Sequence, residues 1–234
     1  MYPLAGDVLT GVRCVAFDCD GVLADAVSSW RTLHDHFGTD TGEMLAKFIA
    51  REIDDEEFMR YDIALWKSVR EEIHRDELFR AYSGIKLIPG AREVVQALKE
   101  RGILVVIISA GVDLFVSSIA AMLKVDDWIA NGFKFDEDGL LLDEGIMRVS
   151  AHDKASEIDR LLEMHDLTSE QLVSVGDSEV DLSMQVEGST FIGFNPSRES
   201  SYSAFADAGV PVVESRDLRD IWNHLFDEDF HPKD

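Results

Sequence analysis

Apolar residues in this chain fall into two patterns that alternate along its length. The first is the short continuous run. Val12 to Phe17, Ile103 to Ile108 and Leu172 to Val175 are rich in β-branched residues and bounded by glycine or polar positions, which predicts buried parallel strands. Phe191 to Phe194 and Val210 to Val213 predict two more short strands. The second pattern is helical spacing. It covers Ala91 to Arg101, stopped by Gly102, then Asp113 to Lys124, Asp153 to His165 and a closing segment from Asp217 to Phe226. Asn131 to Asp143 holds two short runs around Asp136-Glu137-Asp138-Gly139, the composition of a hairpin turn. Such alternation predicts an α/β fold with a Rossmann-like parallel sheet and right-handed crossovers.

One stretch breaks the alternation. From Asp25 to Ile85 no strand pattern occurs, only helical spacing. Asp25 to Phe37 carries Val27, Trp30, Leu33, His34 and Phe37 and stops at Gly38. Glu43 to Glu52 is a second helix. A third opens on the acidic turn Asp54-Asp55-Glu56-Glu57 and runs through Met59, Ile63, Trp66 and Ile73. Arg75 to Tyr82 is a fourth, ending at Ser83-Gly84. The division this implies is a core domain from residues 1–24 and 86–234, with a small helical cap at 25–85 whose own core includes Trp30 and Trp66.

The chemistry sits where strands end. The first ends in Asp18-Cys19-Asp20-Gly21-Val22, the second in Ser109-Ala110-Gly111, and the third in Gly176-Asp177-Ser178-Glu179-Val180-Asp181. Asp and Glu make up 46 of 234 residues, so an isolated D-x-D carries little weight. Its place after a buried strand carries more, because open α/β sheets bind ligands beyond the carboxyl ends of their strands. Four carboxylates around a phosphate dianion require a divalent cation, and Mg²⁺ suits carboxylate and phosphate oxygens. Asp18 and Asp177 are its expected side-chain ligands, with the Asp20 backbone carbonyl as a third. Asp18 is the candidate nucleophile, and Asp20 the general acid and then base. Ser109 and the amides after it, from Ala110 on, would hold phosphoryl oxygens, and Lys154 would offset transition-state charge. Asp181, a turn past Asp177, would orient Lys154 or a metal-bound water.

Composition narrows the partners. The net charge is −24, with 22 Lys and Arg, which disfavours nucleic acid and anionic membranes. Acidic residues are spread along the chain, a pattern similar to proteins of salt-loving organisms. No apolar stretch approaches the roughly 20 residues of a membrane span, and Met1 to Asp7 has no basic, apolar leader. A cytoplasmic protein acting on a small phosphate ester is the expectation. Cys14 and Cys19 should be unpaired, and His34, His36, His152 and His165 show no metal-ligand spacing.

The ordered set Asp18-x-Asp20-Gly-Val, Ser109, Lys154 and Gly176-Asp177-Ser178-x-x-Asp181 resembles the four motifs of the haloacid dehalogenase-like phosphatases, over essentially the whole chain. The position of the helical insertion is similar to that family's C1 cap, which opens and closes over the site. Pro89-Gly90-Ala91 and Asp177 to Met184 look most like the phosphoserine phosphatase branch. That resemblance implies a Mg²⁺-dependent phosphomonoesterase working through an aspartyl-phosphate. Two positions depart from the branch. Val27 stands where a glutamate binds the substrate ammonium, and Asp62 stands where a cap arginine binds its carboxylate, with Arg60 nearby. Ser28, Ser29, Arg60 and Asp62 are the candidate substrate contacts of the cap. The alternatives are a phosphatase of a sugar, polyol or glycolate phosphate, and a non-catalytic binding module of the same fold.

Overall fold

The computed structural model describes residues 11–231; the Met1 to Asp7 start read above lies outside them. Strands β1 (Cys14–Phe17), β2 (Leu104–Val112), β3 (Asp127–Phe135), β4 (Leu141–Ile146), β5 (Leu172–Gly176), β6 (Thr190–Phe194) and β7 (Val212–Val213) form one sheet. Its order is β4-β3-β2-β1-β5-β6-β7. Every pairing is parallel except the β3–β4 hairpin. β1 lies at the centre with all four residues buried, as its unbroken apolar run requires.

Register decides where the site forms. Phe17 pairs with Ile107 on one side and Val175 on the other. The residues that follow these three therefore emerge at one edge of the sheet. β2 runs further than its apolar run predicts. Pairing with β3 continues through Ser109 and, after a register shift, reaches Val112, so Ser109-Ala110-Gly111 is an irregular strand end rather than a free turn.

Helices α5 (Ala91–Glu100), α6 (Asp113–Leu123) and α7 (Ala155–Met164) connect the strands. Four helices fill the insertion: α1 (Ser29–Phe37), α2 (Gly42–Ile49), α3 (Asp55–Val69) and α4 (Arg75–Ala81). α1 starts four residues later than the spacing predicts. The Asp25 amide donates to the Lys86 carbonyl and Ala24 bridges Leu87, which ties this segment to the returning chain. Ser28 then caps the helix, and Gly38 ends it in the left-handed region at φ 66°. α2 ends at Ile49, short of Glu52. α3 stops at Val69 because Arg70 turns extended, at φ −144° and ψ 110°. Ile73 is buried from the loop beyond, its carbonyl accepting from the Leu141 amide.

The insertion is not packed apart from the sheet. Leu33, Ile63 and Trp66 share one apolar cluster with Phe133, Leu141 and β1, and the Trp66 and Phe133 rings meet edge-on at 5.7 Å. Each such side chain contributes about 1.5–3 kcal/mol by burial. Trp30 does two jobs, stacking on Trp66 at 6.0 Å and lining the cavity described below, whereas a core role alone was expected.

Two elements close the chain. α8 (Glu199–Ala208) was not anticipated. The closing segment is a 3₁₀ turn, Leu218–Ile221, running into α9 (Trp222–Phe226). No helix among the described residues is long and apolar enough to cross a membrane.

Candidate active site

The ends of β1, β2 and β5, the turn before α7 and the insertion helices enclose a cavity of about 370 Å³. Asp18, Asp20, Ser109, Ala110, Lys154, Asp177 and Asp181 all line it. Residues far apart in sequence thus reach one place because their strands are in register.

Lys154 is the organising charge. It is 2% exposed, and its Nζ donates to Asp18 Oδ1 and Asp181 Oδ1 at 2.7 Å each, and to the Ile108 carbonyl at 3.3 Å. Burial works against the ammonium, but the two carboxylates outweigh it and hold Lys154 above its ordinary value. Both oxygens of Asp181 are engaged. Its Oδ2 accepts from the Ser178 amide at 3.0 Å and the Ser178 hydroxyl at 2.7 Å. Asp181 is thereby tied to both Lys154 and the Ser178 turn.

Burial pushes the Asp18 carboxyl up to about 7, with Lys154 pulling it down and Asp181 and Asp20 adding to the rise. Burial also raises Asp177, followed by repulsion from Asp181, Asp18 and Asp20. Asp20 is raised by burial as well, against the hydrogen bonds it accepts from Ser29. One lysine does not balance these carboxylates. Oxygens of Asp18, Asp177 and Asp181 lie within 4.8 Å of one another, the spacing of groups that share a cation. The donor set is all oxygen, so it fits Mg²⁺ rather than a softer metal. Gly21 permits this crowding. Its φ is +76°, and a Cβ there would stand 2.5 Å from Asp177 Oδ2.

The four expected cap contacts fare differently. Ser28 lines the cavity. Asp62 lines it too, but it is 1% exposed and already held. Its Oδ1 accepts from Thr41 Oγ1 at 3.0 Å and lies 3.2 Å from His34 Nε2. Arg60 is exposed and does not line the cavity. Met59, Asp62, Ile63 and Trp66 are the buried positions of α3, and residue 60 falls off that face by helical phase. Ser29 is fully buried and also absent from the lining. Its amide and hydroxyl both donate to Asp20 Oδ2, at 2.8 and 2.7 Å, so it serves the core aspartate instead of a substrate.

Three features escaped sequence reasoning. Asn131 lines the cavity and is fully bonded, its Nδ2 donating to the Ala110 and Val149 carbonyls and its Oδ1 accepting from the Arg148 and Val149 amides. A lone amide inside the Asp127–Phe135 strand is the signal that could have found it. Ser197, Arg198 and Ser201, at the start of α8, form part of the rim. His34 lines the cavity while buried, its Nδ1 accepting from Trp66 Nε1 at 3.1 Å. The roof above the carboxylates is largely apolar, with Trp30, Leu45, Phe48, Ile49, Phe58 and Met59. Cys14 and Cys19 are buried and unpaired.

The model of the haloacid dehalogenase-like hydrolases matches residues 15–185. A phosphoserine phosphatase of Archaeoglobus fulgidus is 28% identical over 185 residues, covering 78% of this chain and 52% of its own length. The chain thus spans about half of that relative. A phosphoserine phosphatase of Idiomarina loihiensis is 26% identical, with 84% of this chain and 87% of the relative covered. Among solved structures, a substrate-bound phosphoserine phosphatase complex superposes with TM-score 0.76 at 21% identity, over 92% of this chain and 98% of the other. A phospho-aspartyl intermediate analogue of phosphoserine phosphatase gives TM-score 0.74 at 24% identity, over 92% and 99%. The chain belongs to the haloacid dehalogenase-like hydrolase family.

Proposed function

We propose that the protein is a Mg²⁺-dependent phosphomonoesterase of a small phosphorylated metabolite, working through an aspartyl-phosphate on Asp18. The observation that carries this reading is the buried Asp18–Lys154–Asp181 chain beside Asp20, Ser109 and Asp177 in one cavity. The phosphoserine phosphatases to which the chain is similar support it.

In the first step a carboxylate oxygen of Asp18 attacks phosphorus while Asp20 gives a proton to the departing alcohol oxygen. Lys154 fixes the rotation of Asp18 through Oδ1 and faces the developing charge. Ser109 and the amides after it hold phosphoryl oxygens. In the second step Asp20, now ionised, takes a proton from the water that hydrolyses the acyl phosphate. Asp18, Asp177 and the Asp20 carbonyl would hold Mg²⁺, which neutralises the pocket for a dianionic substrate. The insertion acts as the cap.

Phosphoserine is the first substrate to test. A second reading, an ester of a sugar, polyol or glycolate type, is favoured by two observations. Val27 is 78% exposed and offers no anion for an ammonium group. Asp62 is a buried carboxylate where a carboxylate-bearing substrate would need a cation. Inorganic phosphate release from a panel of esters with Mg²⁺, at low and molar salt, separates the two. Phosphoserine far above the rest supports the first, and preference for an ester without an amino-acid group supports the second. No release from any ester overturns the phosphatase reading in favour of a binding module, and undiminished release by Asp18→Asn overturns the aspartyl-phosphate on Asp18. The same reading places the protein in the cytoplasm, without nucleic-acid or membrane partners.

A further inference from the structure

Ser29 is saturated in a way that serves Asp20. Its amide donates to Asp20 Oδ2 at 2.8 Å and its hydroxyl to the same oxygen at 2.7 Å. The hydroxyl oxygen accepts from the Val112 amide at 3.0 Å, which leaves its proton free to point at Asp20. The Ser29 carbonyl accepts from Tyr82 Oη at 3.3 Å. Ser29 is therefore fixed from β2 and from the end of α4 at once. The other oxygen, Asp20 Oδ1, is buried with no partner among the described residues.

A carboxylate oxygen that accepts two donors is the anionic one, so a proton carried by the group sits on its other oxygen. Ser29 is the first residue of α1, and its neighbour Trp30 donates from Nε1 to the Ala110 carbonyl at 3.0 Å. The start of the insertion is thus pinned to β2 on both sides of this contact. Gly111 gives the clamp room, since a Cβ there would stand 2.5 Å from Ser29 Oγ and 2.9 Å from Asp20 Oδ2.

We propose that Ser29 is a positioning residue that occupies Asp20 Oδ2, so that Oδ1 alone carries the proton delivered to the leaving oxygen. The proposal rests on the phosphatase reading. In the step it governs, an Asp18 oxygen forms a bond to phosphorus, the bond from phosphorus to the alcohol oxygen breaks, and the Oδ1 proton moves to that oxygen. The products are the acyl phosphate, the neutral alcohol and ionised Asp20.

The test reads leaving-group dependence. p-Nitrophenolate departs without a proton, whereas an alkoxide does not. In Ser29→Ala, kcat/KM for an alkyl phosphate should fall at least about tenfold further than for p-nitrophenyl phosphate, part of the about 10²–10⁴-fold that a general acid supplies. In an Asp20→Asn background, Ser29→Ala should change that ratio no further. Gly111→Ala crowds Ser29 Oγ and Asp20 Oδ2 while keeping both residues, so it should reproduce the signature, and it carries the test if Ser29→Ala does not fold. Equal losses for both esters in a folded variant, or an undiminished effect in the Asp20→Asn background, would overturn the proposal and leave Ser29 a packing residue. No phosphate release from either ester by the unmodified protein overturns the phosphatase reading, and the proposal falls with it.

Discussion

Lys154 and Asp181 form a buried ion pair, Nζ to Oδ1 at 2.7 Å, with the two side chains 2% and 3% exposed. The same ammonium reaches Asp18 at an equal distance, so removing it strands two carboxylates. Lys154→Ala should lower kcat by about 10²-fold or more. It should also cost about 3–5 kcal/mol of stability in metal-free protein, the price of breaking a buried pair. Phosphate release and urea unfolding measure the two effects. Full activity in Lys154→Ala would remove it from the chemistry.

The proposed metal site predicts a link between metal and pH through Asp18. Its carboxyl is raised from 3.8 to about 7, so the folded protein holds the proton more tightly than the unfolded chain. This group therefore favours folding most at low pH, and that contribution is lost as pH climbs from near 4 through about 7. In EDTA the midpoint of thermal unfolding should fall between pH 5.5 and 8. Saturating Mg²⁺ should recover it, and by more at pH 8 than at pH 6. An equal Mg²⁺ increment at both values would count against a carboxylate metal site.

The two thiols should be silent in the native state. Burial, with Asp126 adding to it, pushes Cys14 up to about 12, and burial likewise raises Cys19, next to Asp20 and Asp18. Titration with a thiol-reactive disulfide should label neither in native protein and both after unfolding. Fast labelling of Cys19 in folded protein would show that the strand end opens.

A net charge of −24 makes self-repulsion a cost that salt relieves. The unfolding midpoint should rise by more than about 4 °C between dilute and 2 M KCl, a change of about 1 kcal/mol for a chain of this length. A flat response would identify an ordinary acidic protein and remove the high-salt reading.

The positions of Asp18, Ser109 and Asp177 were legible because a buried strand leaves its mark as an apolar run, and these residues follow where the run stops. Lys154 was legible by its place ahead of a helix. The substrate side was not, because cap contacts depend on helical phase and on partners that no local pattern reveals. Arg60 lies one residue past the buried position Met59 and faces outward. Ser29 reads as a candidate substrate contact near a helix start, and only the fold places Val112 and Asp20 against it. α8 went unseen because its buried positions are just Ser201 and Phe205, too few for a helical stripe. Glu179 anchors it from outside, accepting from Ser200 and Ser201.

The central place of β1 also fixes when the protein can first work. Its neighbours begin pairing at Leu104 and Leu172, so during synthesis the strand that leads into Asp18 emerges early and waits for both flanks. Until β5 is delivered, one edge of β1 has exposed amides and carbonyls open to another chain. A nascent chain stopped short of Gly176 has Asp18 but neither Asp177 nor the Asp181 that bonds Lys154. Long-range parallel pairing of this kind folds slowly, so catalytic competence arrives late and all at once, and truncated products should aggregate rather than retain partial activity.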